Sequence, residues 1–132
     1  LDVTVPDSLK KMVEQGNLGV KTGNGFYEYK AGKKVKTKIE ESHVDVKALT
    51  DRLIGRMTNE SVACLRENVV ADKELLDAGV IFGTGFAPFR GGPMNYAAKE
   101  GYSNYKNRLV SMEEKLGSSF KPDAGWENLI TE

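Results

Sequence analysis

The chain has 132 residues, 39% hydrophobic and 29% charged, the composition of one soluble globular domain of ordinary size. Nineteen basic residues offset nineteen acidic ones, so no global field favours nucleic acid, anionic lipid or a polyanion; the single cysteine, Cys64, excludes an internal disulfide and fits a reducing compartment. No apolar run approaches the ~18 residues of a membrane span, and the opening Leu1-Asp2-Val3-Thr4 has neither a signal-peptide leader nor an initiator methionine, which marks the sequence as a piece of something longer.

In chain order, Pro6-Asp7-Ser8 leads into Leu9, Met12 and Val13 at helical spacing, and Gly16 closes this short amphipathic helix. Turn chemistry at Lys21-Thr22-Gly23-Asn24-Gly25 precedes Phe26-Tyr27-Glu28-Tyr29, which has strand propensity and breaks at Ala31-Gly32 before Lys33-Lys34-Val35-Lys36-Thr37. This predicts a small, mostly exposed hairpin. Its lysines (Lys30, Lys33, Lys34, Lys36, Lys38) beside Tyr27 and Tyr29 have the look of a nucleic-acid surface, but in a neutral chain a hairpin kept soluble by lysines is the better account. His43 stands alone in a polar lead-in, with no second histidine for a metal pair or a relay.

From Val46 to about Glu67 the pattern is helical, with Leu49, Leu53, Met57 and Cys64 on one stripe and Ile54 and Leu65 beside it. Glu60 falls on that apolar stripe, where an unpaired carboxylate would be costly, so it needs a partner. A second helix has Asp72 as N-cap and Leu75, Leu76, Gly79 and Val80 on one face, ending at Gly83. Pro93 suits the first turn of a third helix, with Met94, Ala97 and Ala98 as its apolar face and Gly101 as its stop. Ser103 or Asn104 can cap a fourth, whose Tyr105, Leu109, Met112 and Leu116 recur at helical spacing before Gly117. The tail from Pro122 through Trp126, Leu129 and Ile130 starts another helix. Pro6-Asp7 with Leu9, Met12 and Val13 matches Pro122-Asp123 with Trp126, Leu129 and Ile130 after a one-residue insertion, which suggests a segment about one repeat long from a tandem array. The fold class is all-α, an antiparallel helical bundle with a small N-terminal β-hairpin.

The most distinctive stretch joins the second and third helices: Gly83, Gly85, Phe86, Pro88, Phe89, Arg90, Gly91, Gly92 and Pro93. Phe86 and Phe89 read as apolar anchors of this structural loop, and Arg90 is the nearest candidate to pair with Glu60; Arg90 with Asp77, or in solvent, is the alternative. Gly83-Thr84-Gly85 lacks the third glycine of a dinucleotide fingerprint and follows a helical pattern where a strand is required. Walker loops, paired cysteines and His-Glu metal patterns are missing, and Cys64 on an apolar face is core rather than nucleophile. The residues therefore offer no catalytic, cofactor-binding or metal-binding set.

Three stretches in order, Gly19-Val-Lys-Thr-Gly-Asn-Gly-Phe-Tyr-Glu-Tyr29, Arg52-Leu53 with Asn59-Glu60-Ser-Val-Ala63, and Asp77-Ala-Gly-Val-Ile-Phe-Gly-Thr-Gly-Phe-Ala-Pro-Phe-Arg-Gly-Gly-Pro93, together resemble the C-terminal region of the multifunctional fatty-acid oxidation enzymes. Those enzymes join enoyl-CoA hydratase/isomerase and L-3-hydroxyacyl-CoA dehydrogenase activities in one chain, and the match spans most of residues 6 to 130.

The resemblance implies a helical domain of the 6-phosphogluconate dehydrogenase C-terminal-like type. Residues 1–44 would be the terminal helix of a preceding helical domain plus a hairpin linker, and residues 45–132 the second 3-hydroxyacyl-CoA dehydrogenase C-terminal-type domain. In such enzymes an NAD-binding Rossmann domain supplies the catalytic groups, and a first helical domain supplies an asparagine that positions the substrate. Asp51 stands at the matching position here; a carboxylate cannot donate as an amide does and would set a negative charge beside an acyl-CoA thioester. The resemblance thus implies a non-catalytic copy that completes the fold and helps to close the substrate cleft. NAD would belong to the parent and not to this part. Its partners would be the Rossmann and first helical domains, acyl-CoA through the parent only, and possible contact with a thiolase subunit. Nucleic acid is not expected as a partner. The location would be cytoplasmic in a bacterium, mitochondrial or peroxisomal in a eukaryote. A free-standing acyl-CoA-binding helical module, with Arg90 and the loop amides meeting phosphate, is the alternative.

Overall fold

The computed structural model describes residues 5–36 and 44–131, and the chain divides into two compact units, Leu1–His43 and Val44–Glu132. In the first, Pro6 opens helix α1 (Asp7–Glu14), none of whose residues is buried. A two-residue antiparallel hairpin follows, β1 (Tyr29–Lys30) on β2 (Lys33–Lys34), with Tyr29 opposite Lys34 and the turn at Ala31-Gly32. Lys34 lies over the Tyr27 ring, its Nζ 3.4 Å from the centroid, so a lysine of the hairpin packs on one of its own tyrosines. Thr37, Lys38 and His43 lie outside the described residues.

The second unit is the helical bundle: α2 (Val46–Arg66), α3 (Lys73–Thr84), α4 (Pro93–Glu100), α5 (Tyr102–Leu116) and α6 (Trp126–Thr131). Short 3-10 turns at Pro88–Arg90 and Ser118–Phe120 complete the connections. Asp45 caps α2 by accepting from the Ala48 N–H (2.9 Å), and Asp72 caps α3 by accepting from the Leu75 N–H (2.7 Å). Neither Ser103 nor Asn104 caps α5; both fall inside a helix that begins at Tyr102 after Gly101. The buried core is Val62, Leu76, Met94, Ala97, Tyr105, Leu109, Phe120, Trp126 and Leu129.

Helix α2 turns a different face to this core from the one its aliphatic residues mark. Its buried residues are Gly55, Thr58, Asn59, Ser61 and Val62, whereas Leu49 and Leu53 are 45% and 64% exposed. Small and polar residues win the inward face because two neighbours need close approach and fixed hydrogen bonds there. Gly55 leaves room for Leu109 and Met112 of α5, each 3.4 Å from where a Cβ would stand. Thr58 accepts the Tyr105 hydroxyl (3.1 Å). Asn59 uses both ends of its amide: Nδ2 donates to the Lys121 carbonyl, and Oδ1 accepts from the Asp123 N–H and from Trp126 Nε1, all at 2.9 Å. Trp126 is thereby held flat on Tyr105, with centroids 5.4 Å apart and planes 20° from parallel.

The same C-terminal segment is tied a second time. Arg66 grips Asp123 with Nε to Oδ1 (2.8 Å) and Nη2 to Oδ2 (3.0 Å), and Oδ1 also accepts from the Gly125 N–H (2.7 Å). The Arg66 contact holds the Asp123 carboxyl below its ordinary value against the opposing effect of burial.

Asn59→Ala strands the Trp126 indole N–H and two backbone groups in the interior; it should cost about 3 kcal/mol, read from the urea midpoint of Trp126 fluorescence. The Asp123 contribution has a definite pH sign. Because the folded value is depressed, its stabilisation is fully present above the ordinary value of 3.8 and disappears as pH falls below it. Thermal melts of Asp123→Asn should start from lower stability at neutral pH and lose less than the parent protein between neutral and acid.

Candidate functional site

The glycine-rich loop is a helix-to-helix connection with several of its polar groups bonded internally. Helix α3 runs through Gly83, one residue beyond the expected stop, to Thr84; Gly85 then caps it at φ +73° and donates its N–H to the Ile81 carbonyl (3.1 Å). The Arg90 and Gly91 amides close the Pro88–Arg90 turn on Ala87 and Pro88 (2.9 Å each). Pro93 occupies the first turn of α4, where its missing N–H costs nothing. Phe86 is buried, but Phe89 is 82% exposed and meets the Arg90 guanidinium where an apolar anchor was expected.

What fastens the loop is Asp77. This aspartate of α3 is almost fully buried, and its Oδ1 accepts from the Met94 N–H (2.7 Å) while Oδ2 accepts from the Asn95 N–H (2.9 Å). A side chain of one helix thus caps the N-terminus of the next, satisfying two otherwise orphaned donors and meeting the positive end of the helix dipole. Burial pushes the Asp77 carboxyl up; the two amide donors pull it down by less, and Glu74 adds to the upward shift. Gly92, at φ +95°, passes so close that a Cβ there would overlap the Asp77 side chain.

The Glu60–Arg90 pair does not form. Glu60 is half-exposed and bonds within its own helix, Oε1 lying 3.3 Å from Arg56 Nη2. The stripe that carries it faces outward, so no burial forces it to seek a distant partner. Arg90 is exposed and lies over the rings of Tyr96 and Phe89, at 5.3 and 5.6 Å from their centroids. It does not reach Asp77 either, whose oxygens are taken by Met94 and Asn95.

Asp51 sits in a charge cluster that spans three helices. Its Oδ2 lies 2.7 Å from Lys47 Nζ and its Oδ1 3.2 Å from Arg108 Nη1. Arg108 Nη2 lies 3.0 Å from Glu100 Oε2 in an ion pair without hydrogen-bond alignment, and the guanidinium stacks 4.3 Å over Tyr105. The carboxylate at this position is neutralised by two cations.

A dinucleotide does not fit these residues. Gly83 and Gly85 stand at the C-terminal end of α3, where the helix dipole repels phosphate, and the N-terminus of α4, which would attract it, is filled by Asp77. No group of three or more His, Cys, Asp or Glu that could hold a metal occurs among the described residues, and no helix there is long and apolar enough to cross a membrane. Cys64 is partly buried against the core.

The key polar residues missed in the sequence are Asp77, Asn59 and Arg108. For Asp77 a signal existed, since it adjoins Leu76 on an apolar helix. The rule that a carboxylate on such a face needs partners applies to it and not to Glu60. For Asn59 nothing local gives notice, because its partners lie 62 to 67 residues away.

No family model matches the chain. It is 36% identical over 128 residues to the fatty acid oxidation complex subunit alpha of Shewanella baltica (strain OS155), covering 89% of this chain and 18% of that one. The subunit of the same name from Shewanella halifaxensis (strain HAW-EB4) is 34% identical over 138 residues, covering 96% and 19%. The chain therefore spans less than a fifth of the length of the curated relatives it matches.

Asp77→Ala leaves the Met94 and Asn95 donors uncapped and should cost about 2–3 kcal/mol, with Asp77→Asn, which keeps one acceptor, losing less. Gly92→Ala should destabilise too, and in the Asp77→Ala background its further cost should shrink, as read by a double-mutant cycle of denaturation midpoints.

Proposed function

Because the chain is a homologue, over most of its length, of the alpha subunits of the fatty acid oxidation complex, we propose that it is a C-terminal helical portion of a fatty-acid β-oxidation enzyme. The parent would oxidise L-3-hydroxyacyl-CoA with NAD, hydrate enoyl-CoA, and act in the bacterial cytoplasm. In that parent the helical unit is a scaffold: it assembles with the Rossmann and first helical domains and helps to close the substrate cleft, without contributing to the chemistry. Contact with a thiolase subunit belongs to the same reading.

The observation that carries it is the state of Asp51. At the position where a substrate-positioning amide is implied, this chain has a carboxylate bound to Lys47 and Arg108. Such a group neither donates a hydrogen bond nor turns toward a ligand without breaking two ion pairs. The domain arrangement, residues 1–44 as the end of a preceding helical domain with its linker and 45–132 as the second such domain, follows from the same reading. A free-standing acyl-CoA-binding module would need loop amides for the phosphates, and those at the start of α4 are bound to Asp77.

The purified 132-residue chain should not reduce NAD in the presence of 3-hydroxyacyl-CoA, while the full-length parent should; NADH formation by the chain alone would overturn the scaffold reading. A salt-sensitive heat on titrating the chain with CoA would favour the binding module.

A further inference from the structure

At about 100° per residue, Val46, Leu49, Leu53 and Met57 form a single stripe on α2, and the buried Gly55, Thr58 and Val62 lie on the opposite side of the helix. Val46 is 70% exposed, and with Leu49 and Leu53 it leaves most of a helix face open to water. The stripe runs on past Met57 and Glu60, whose carboxylate is held by Arg56, into a largely apolar groove of about 300 Å³ between α2 and α3, lined by Glu60, Cys64, Leu75, Gly79 and Val80. From Val46 to Cys64 this track is about 27 Å long at 1.5 Å per residue. Singly exposed leucines need no explanation, but an aliphatic track of this length, on which the Glu60 carboxylate is already paired to Arg56, marks an interaction surface. Its edge carries a charge to match: Arg52, one residue from Leu53, is exposed and has no ion pair among the described residues.

We propose that this stripe and groove are a docking face, and that its occupant is an aliphatic-faced helix from the part of the parent chain outside these residues, carrying a carboxylate on the edge that meets Arg52. This rests on the reading that the chain is part of a longer enzyme. Two observations select the occupant. The relatives extend more than five times the length of the matched segment, so a large body of chain is covalently at hand. The face itself is aliphatic with an unpaired cation at its edge, which suits the apolar stripe and acidic flank of an amphipathic helix. Helix α2 is therefore two-sided: small and polar toward its own bundle, aliphatic toward the neighbour.

The test is the accessibility of a thiol placed on the face. Leu53→Cys, in a Cys64→Ser background, is made both in the 132-residue chain and in the full-length parent, and maleimide labelling is followed in each, normalised to the same protein unfolded. Leu53 is exposed in this structure, so the substitution leaves the bundle intact. Labelling should be fast in the short chain and on the order of tenfold slower or more in the full-length protein, since a covered thiol reacts only while its cover is open. Adding Arg52→Glu to the full-length variant should restore part of the rate. Equal rates in both proteins would overturn the proposal. So would slow labelling of the short chain that speeds up on dilution, which would make a second copy the occupant. Labelling does not depend on NADH formation, so this proposal and the scaffold reading fail separately.

Discussion

The bundle depends on one amide. Asn59, near the middle of the longest helix, holds the carbonyl of Lys121, the N–H of Asp123 and the indole of Trp126 with one side chain whose oxygen is fully used by the last two. Those three bonds set where the last segment crosses α2, and so where Trp126 meets Tyr105. The Arg66–Asp123 fork beside them pins the same segment from the outside. Apolar burial supplies most of the driving force for such a domain, but it is non-directional. The amide and the fork choose one register for α6 among the many that would bury Trp126 and Leu129 about equally well.

Much of the architecture was legible because local chemistry determines it. Asp72 as N-cap, Pro93 at the first turn of α4, and Gly101 and Gly117 as stops are all consequences of a few neighbouring residues, and the helices fall where these signals put them. The hairpin around Ala31-Gly32 is legible for the same reason. What periodicity could not supply is which side of a helix faces in. On α2 the aliphatic stripe is the stronger pattern, yet the bundle uses the weaker one, because Gly55 lets α5 approach and Thr58 and Asn59 have partners at distances no local window contains. Glu60 was misjudged through that single inversion. With the stripe turned outward, the carboxylate had no need of Arg90, and Arg56 one turn earlier was enough.

The glycine-rich loop shows how a motif that resembles a ligand cradle can be spent on its own fold. Loops of this composition serve phosphates when amides at a helix N-terminus are free. Here the amides of Met94 and Asn95 face a carboxylate from α3, and the glycines that come earlier stand at the wrong end of a helix. The resemblance of the chain to a family of enzymes and the use of the α4 N-terminal amides within the fold are compatible once chemistry and scaffold are assigned to different parts of a longer protein. The Asp51–Arg108–Glu100 cluster points the same way, since its charges are used to join α2, α5 and α4.

The contact between Asp77 and Gly92 has a consequence for how the sequence can drift. The aspartate needs the space that a side chain at Gly92 would fill, and the glycine is required only while the aspartate stands there and its backbone keeps a positive φ. Neither position is free to vary by itself. Across homologous chains the two should change together or not at all, as a linked pair separated by fifteen residues, whereas Phe89, more conspicuous in the same loop, is exposed and under no such steric constraint.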